Sequence, residues 1–252
     1  MCPRVIPVLL LRGRGLVKTR RFKDPVYLGD PVNIVRIFNE KEVDEIVLFD
    51  IAASAESRKP NLRVLEEIAS ECFAPMAYGG GLADLEQITR ILALGYEKVI
   101  LNTAAFERPS LVQRAADTVG SQSVVVSIDV KHSWTRGHRV FTRAGLQPVE
   151  GDVRAHAERM QALGAGELLV NSIDRDGTMS GYDLGTLRAV ASAVDIPVVA
   201  CGGARNLGDC RAAIREAGAA AVAAGSMFVF QGVHRAVLIS FPTRREIEQA
   251  FC

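Results

Sequence analysis

Short apolar, β-branched runs alternate along the chain with stretches whose apolar residues recur at helical spacing. The runs Val5–Leu11, Glu45–Asp50, Pro75–Tyr78, Lys98–Leu101, Ser123–Val130, Glu167–Asn171, Pro197–Ala200 and Ala220–Ala224 predict about eight strands. Between them, Asn61–Glu71, Leu85–Leu94, Ser110–Thr118, Val153–Leu163, Leu184–Ala193 and Leu207–Glu216 have the length and pattern of helices. The strands lack polar alternation, as strands covered on both faces should.

The pattern also repeats. Val43–Ser54, Tyr78–Gly81 and Val99–Thr103 are echoed about 123 residues later by Ala165–Asp174, Cys201–Ala204 and Val222–Ser226. No GxGxxG follows the first strand, so a closed parallel α/β architecture, a (β/α)8 TIM barrel built from two similar half-barrels, fits better than an open doubly wound sheet. With 252 residues, 48% of them apolar, and no linker or low-complexity tract, the whole chain 1–252 is expected to form a single barrel domain.

Charge and cysteine usage narrow the function classes. Thirty basic residues against 29 acidic ones provide no whole-chain field for nucleic acid or an anionic membrane. Cys2, Cys72, Cys201, Cys210 and Cys252 show neither CxxC nor Cys/His ligand spacing, and His132, His138, His156 and His234 are scattered, so no metal, cofactor or disulfide framework is expected. The first apolar run is short and broken by Pro7, and no run reaches the roughly 20 residues of a membrane span. A soluble, cytoplasmic, unprocessed protein is the expectation.

Candidate chemistry collects where strands end. Gly79-Gly80-Gly81 and Gly202-Gly203 each follow a strand and precede a helix, so their backbone N–H groups can close on an anion. Asn102-Thr103 and Gly225-Ser226 end the next strand of each half and would add donors. Glycine turns at barrel strand ends are the plain alternative, but duplication of the whole series favours two phosphate sites and a substrate with two phosphates. Asp129 leaves an apolar strand where a barrel's mouth would be, placed either for proton transfer or to cap a loop. Asp174, Arg175 and Asp176 leave one strand end together, too many ionisable groups for a simple turn. Asp176 and Gly177 would hold the phosphate through a water-bridged carboxylate and an amide.

The segments Tyr78–Gly81, Ser121–Asp129, Asn171–Thr178 and Gly181-Tyr182-Asp183 resemble the cyclase subunit, HisF, of imidazole glycerol phosphate synthase, a likeness that covers nearly the whole chain. The resemblance implies a half-barrel-duplicated enzyme that takes ammonia from a glutaminase partner and adds it to a bisphosphorylated substrate. Gly81, Asn102 and Thr103 would serve one phosphate, and Asp176, Gly177, Gly202, Gly203, Gly225 and Ser226 the other. Asp129 matches one of the family's two catalytic carboxylates. The other falls on Leu10, and the internal repeat gives the same alignment, since Ile6–Leu10 occupies in the first half what Val125–Asp129 occupies in the second. Lys18 or Asp50 could stand in for the missing acid.

Leu9–Leu11, Gly15–Thr19, Gly29-Asp30-Pro31, Phe38–Glu45, Ser70–Phe73 and Gly225–Phe230 resemble a narrower HisF-like branch associated with acetamidino modification of surface sugars. That branch implies ammonia transfer onto an N-acetyl group of an activated sugar. By the same resemblance Arg4, Glu45, Lys98 and Glu167 form a charged ring around an ammonia gate at the barrel bottom. The chain has no glutaminase nucleophile sequence of its own, so a heterodimer with a HisH-like glutaminase subunit is expected. Sugar modification is the leading expectation. A cyclase of histidine biosynthesis, a lyase, is the alternative, and a non-catalytic activator of a glutaminase is a third.

Three local expectations remain. The basic segment from Arg12 to Lys23, made flexible by Gly13 and Gly15, reads as a mobile lid over an anionic substrate. Trp134 reads as a loop anchor after Asp129. Met227, Phe228 and Phe230 read as core beside the last strand.

Overall fold

The computed structural model describes residues 2–133, 137–232 and 234–251. Trp134 lies outside the described residues. Eight parallel strands close into a barrel: β1 (Arg4–Arg12), β2 (Ile46–Asp50), β3 (Met76–Gly79), β4 (Lys98–Leu101), β5 (Val124–Ser133), β6 (Glu167–Ser172), β7 (Val198–Cys201) and β8 (Ala221–Ala224). Each pairs with the next in order, and β8 closes the ring on β1 through Arg4↔Ala221 to Pro7↔Ala224.

Outside the barrel run α1 (Pro31–Glu40), α2 (Leu62–Ala69), α3 (Leu85–Ala93), α4 (Ser110–Val119), α5 (Val153–Ala162), α6 (Leu184–Ala191), α7 (Leu207–Ala217) and α8 (Arg244–Phe251). Asp30, Asn61, Asp84, Asp152, Asp183 and Asn206 start six of them by accepting a hydrogen bond from a first-turn backbone N–H. Thr243 and Glu246 start α8 with a reciprocal capping box. The two halves correspond: glycines and then a helix follow both β3 and β7, and short helices, Thr103–Glu107 and Ser226–Val229, follow both β4 and β8.

Strand side chains alternate between two apolar surroundings, which explains the missing polar alternation. Val5, Leu9 and Leu11 of β1 face the helices, whereas Ile6, Val8 and Leu10 join Val47, Ala77, Ile100, Val125, Leu169 and Val199 inside the barrel. Because the inward face recurs at every second residue, each strand carries one inward residue at the bottom and another at the mouth. Lys98, Ile100 and Asn102 form such a series on β4 and its end, and Glu167, Leu169 and Asn171 form one on β6. The four-residue step from Glu167 to Asn171 spans about 13 Å.

The basic segment after β1 is not a flexible loop. Strands Gly15–Arg20 and Lys23–Gly29 form an antiparallel hairpin that extends β1 through Leu10↔Val17 to Arg12↔Gly15. Its outward charges hide an inward pair: Lys18 and Thr19 are buried and bonded to Asp176. A second hairpin, the end of β5 with Gly137–Thr142, runs from Asp129↔Phe141 to Ser133↔Gly137. Phe228 and Phe230 are buried beside β8 and Met227 packs against the core.

Candidate active site

The C-terminal ends of the strands surround a cavity of about 170 Å³. Asp129, Gly81, Asn102, Thr103, Asp176, Gly177, Gly202, Gly203, Gly225 and Ser226, dispersed over most of the sequence, all line it. Period-two alternation puts Ser127 and Asp129 on the same inward face of β5, and the Ser127 hydroxyl donates to Asp129 Oδ1 at 3.1 Å. Burial pushes the Asp129 carboxyl up to about 7; the Ser127 hydroxyl and the Asn171 amide oppose the shift, and the Asp176 charge adds to it. Asp129 therefore changes protonation state near neutral pH, which suits a group that both takes and gives a proton.

The glycines are where backbone must approach backbone. A Cβ on Gly203, at φ +112°, would lie 2.2 Å from the Gly181 carbonyl oxygen, and one on Gly81, at φ +66°, 2.4 Å from that of Arg58. The side-chain donors expected at the first glycine set are committed elsewhere. Asn102 Nδ2 donates to the carbonyls of Ser127 at 3.0 Å and Phe141 at 3.4 Å. Thr103 Oγ1 donates to Asn102 Oδ1 and accepts from Arg143 N at 3.0 Å. These two side chains therefore hold the second hairpin on the barrel.

Asp176 is likewise engaged: Oδ1 accepts from Lys18 Nζ at 2.8 Å and Oδ2 from the Thr19 hydroxyl at 3.1 Å. Its two ionisable neighbours brace the loop. Asp174 accepts from His132 N at 2.7 Å, and Arg175 donates to the carbonyls of Ser180 and Gly181, both at 3.2 Å.

Leu10 and Val8 present alkyl groups to the cavity where β1 reaches the mouth. The two groups that could replace an acid there are both paired: Lys18 with Asp176, and Asp50 with Arg58, which donates to both of its oxygens at 3.1 Å. The Asp50–Arg58 pair, Ser127 and Cys201 are mouth features that sequence reasoning missed. Ser127 was within reach, being two residues before Asp129 on the same strand. Burial pushes the Cys201 thiol up to about 12, with Asp176 adding to the shift, so Cys201 is neutral.

At the opposite end Arg4, Glu45, Lys98 and Glu167 meet. Arg4 bonds both glutamates, and Lys98 Nζ lies 3.1 Å from Glu45 and 2.9 Å from Glu167. Glu45 and Glu167 line a small void of about 10 Å³, close to the least space that holds one water, and Ile100 lines both this void and the mouth. Among the described residues no cluster of His, Cys, Asp and Glu could hold a metal ion, and no helix is long and apolar enough to cross a membrane.

A closed barrel of alternating strands and helices, with a titrating carboxyl at its C-terminal mouth, defines a (β/α)8-barrel enzyme. Residues 4–234 match the family described as histidine biosynthesis protein. The chain is 49% identical over 245 residues, 97% of this chain and 98% of the relative, to the Pseudomonas aeruginosa protein named "Putative imidazole glycerol phosphate synthase subunit hisF2". It is 46% identical over 250 residues (99% and 98%) to the Leptospira borgpetersenii protein given the same name with the suffix HisF, and 45% over 248 residues (98% and 95%) to the Vibrio vulnificus one with the suffix hisF3. The chain belongs to this family and is an enzyme subunit of the HisF type.

Proposed function

We propose that the chain is the cyclase subunit of an imidazole glycerol phosphate synthase, receiving ammonia from a glutaminase subunit and adding it to a substrate with a phosphate at each end. The observation that carries this reading is the placement of Asp129 in one cavity between two duplicated glycine sets, Gly80-Gly81 after β3 and Gly202-Gly203 after β7. Backbone amides at Gly81, Gly202, Gly203, Gly225 and Ser226, with Gly177, would cradle the phosphates, while Asn102, Thr103 and Asp176 fix the walls around them. Asp129 then exchanges a proton with the carbon skeleton held between. The names of the relatives favour this reading over the sugar modification to which the sequence alone gives first place.

The charged ring and the void lined by Ile100 support entry of ammonia from the barrel bottom, where the glutaminase would dock. Four charges that satisfy one another pairwise leave no unpaired charge on the axis, so a small neutral molecule passes without being trapped.

One observation favours the second reading, amidination of an N-acetyl sugar. Leu10 gives the mouth an alkyl group where the cyclase resemblance implies an acid, and Lys18 and Asp50 already have partners. Turnover of the bisphosphorylated cyclase substrate with ammonium salt, by the native chain and by Leu10→Asp, separates the two. Product from the native chain supports the cyclase. No product from a folded native chain overturns that reading and leaves amidination of an activated N-acetyl sugar as the reaction to assay.

A further inference from the structure

Asn171 ends β6 directly beside Asp129 on β5; the two residues are register partners on adjacent parallel strands. The Asn171 side chain is buried, and among the described residues its Oδ1 is the one fully buried side-chain nitrogen or oxygen without a hydrogen-bond partner. It presses on Gly202, where a Cβ would lie 2.7 Å from it. An amide oxygen left without a donor in a buried site costs about 1–3 kcal/mol, so a buried asparagine held this way calls for an explanation.

Asp129 provides one. A carboxylate only accepts hydrogen bonds, a carboxylic acid also donates one, and an amide can answer either by turning over. With Asn171 and Asp129 side by side in register, the amide's donor end, Nδ2, is the one that can bond the ionised carboxyl, which leaves Oδ1 as the end left over. We infer that Asn171 is a positioning residue that follows the charge of Asp129: Nδ2 donates to the carboxylate, and after protonation the amide flips so that Oδ1 accepts from the carboxylic acid O–H. Both states of the proton carrier are then hydrogen-bonded, and the carboxyl keeps its orientation as the proton comes and goes.

The other neighbours do not take this part. Ser127 Oγ, on the same strand, donates to Oδ1 of Asp129, and Asn102 Nδ2 is spent on carbonyls. Asp176, the charge that acts on Asp129, is held by Lys18 and Thr19 on the hairpin as half of an ion pair. Cys201 on β7 is a neutral thiol, and Phe141 across the second hairpin and Leu10 on β1 are apolar.

The pairing concerns protonation alone, so its test needs no substrate and stands or falls separately from the proposed reaction. The side-chain amide signals of Asn171 are followed by NMR across pH 5 to 9 in the native chain, and the Asp129 carboxyl is titrated by infrared difference spectroscopy against Asp129→Asn. Asn171 signals that move with the midpoint of the Asp129 carboxyl, and cease to titrate in Asp129→Asn, are the expected result. In Asn171→Leu the carboxyl midpoint should rise by about one pH unit, because a charge-assisted donor is lost that outweighs the neutral acceptor lost with it. Asn171 signals indifferent to the Asp129 titration, or an unchanged midpoint in folded Asn171→Leu, would overturn the inference. If Asn171→Leu does not fold, the amide titration in the native chain decides.

Discussion

Lys18 Nζ and Asp176 Oδ1 lie 2.8 Å apart although 158 residues separate them in sequence. Their contact is buried and ties the hairpin after β1 to the loop after β6, assisted by the Arg21 N–H on the Asp176 carbonyl at 2.9 Å. Asp176→Ala leaves a buried ammonium without its partner and should cost about 3–5 kcal/mol. Urea denaturation measures the loss, and faster proteolysis within residues 15–29 would locate it in the hairpin. A stability within 1 kcal/mol of the native chain would show that the pair does not hold the hairpin.

Asp129→Asn should abolish most turnover, by on the order of 10²–10⁴, while the fold persists. Its effect on stability has a definite sign. The carboxyl ionises near pH 7 when folded and near pH 4 when unfolded, so between these values the folded chain holds a proton that the unfolded chain has released. Stability of the native chain therefore falls as pH rises from about 4 to about 7. Asp129→Asn removes that dependence and should be more stable by on the order of 2–4 kcal/mol above pH 7, the difference vanishing near pH 4. Parallel thermal melts of both chains across this range check the sign.

Much of this arrangement was legible in the sequence. Seven of the eight strand predictions match barrel strands to within one residue, because an apolar run closed by Gly, Asp or Asn carries its own boundaries, and the eighth, β5, runs three residues further, to Ser133. The glycine sets and Asp129 were recognisable for the same reason. The hairpin at Gly15–Gly29 was not, since Lys18 and Thr19 look like solvated polar residues until Asp176 arrives from the other half-barrel. Asn102 and Thr103 read as donors facing a ligand because nothing in their own segment reveals the hairpin carbonyls and amide that engage them. Helix α1 lies outside the predicted elements although Asp30-Pro31 is a helix start of the expected kind, a cap followed by proline in the first turn.

Glu167→Ala tests the charged ring. It removes one of two glutamates shared by Arg4 and Lys98, and should cost on the order of 2 kcal/mol of stability. Glutamine-dependent turnover with the glutaminase present should fall about tenfold relative to turnover with ammonium salt. Equal losses in the two assays would count against entry through the ring.

Gly203→Ala should destabilise the mouth by about 2 kcal/mol or more, because the added methyl meets the Gly181 carbonyl and the backbone conformation suits only glycine. Competitive inhibition by inorganic phosphate should weaken in parallel if the amides of this turn face the anion. A variant as stable as the native chain would show that the turn can relax.

Ile100 borders both the void lined by the two glutamates and the mouth. A void with room for about one water would act as a sieve by size on the proposed ammonia route. On the proposed lower route an amine of one heavy atom is the size that fits, whereas hydroxylamine or methylamine would reach the mouth from the open side, in competition with the substrate itself. On the proposed route the barrel would separate its two reactants by their dimensions before any chemistry begins, and replacing Ile100 with alanine should let bulkier amines share the lower route.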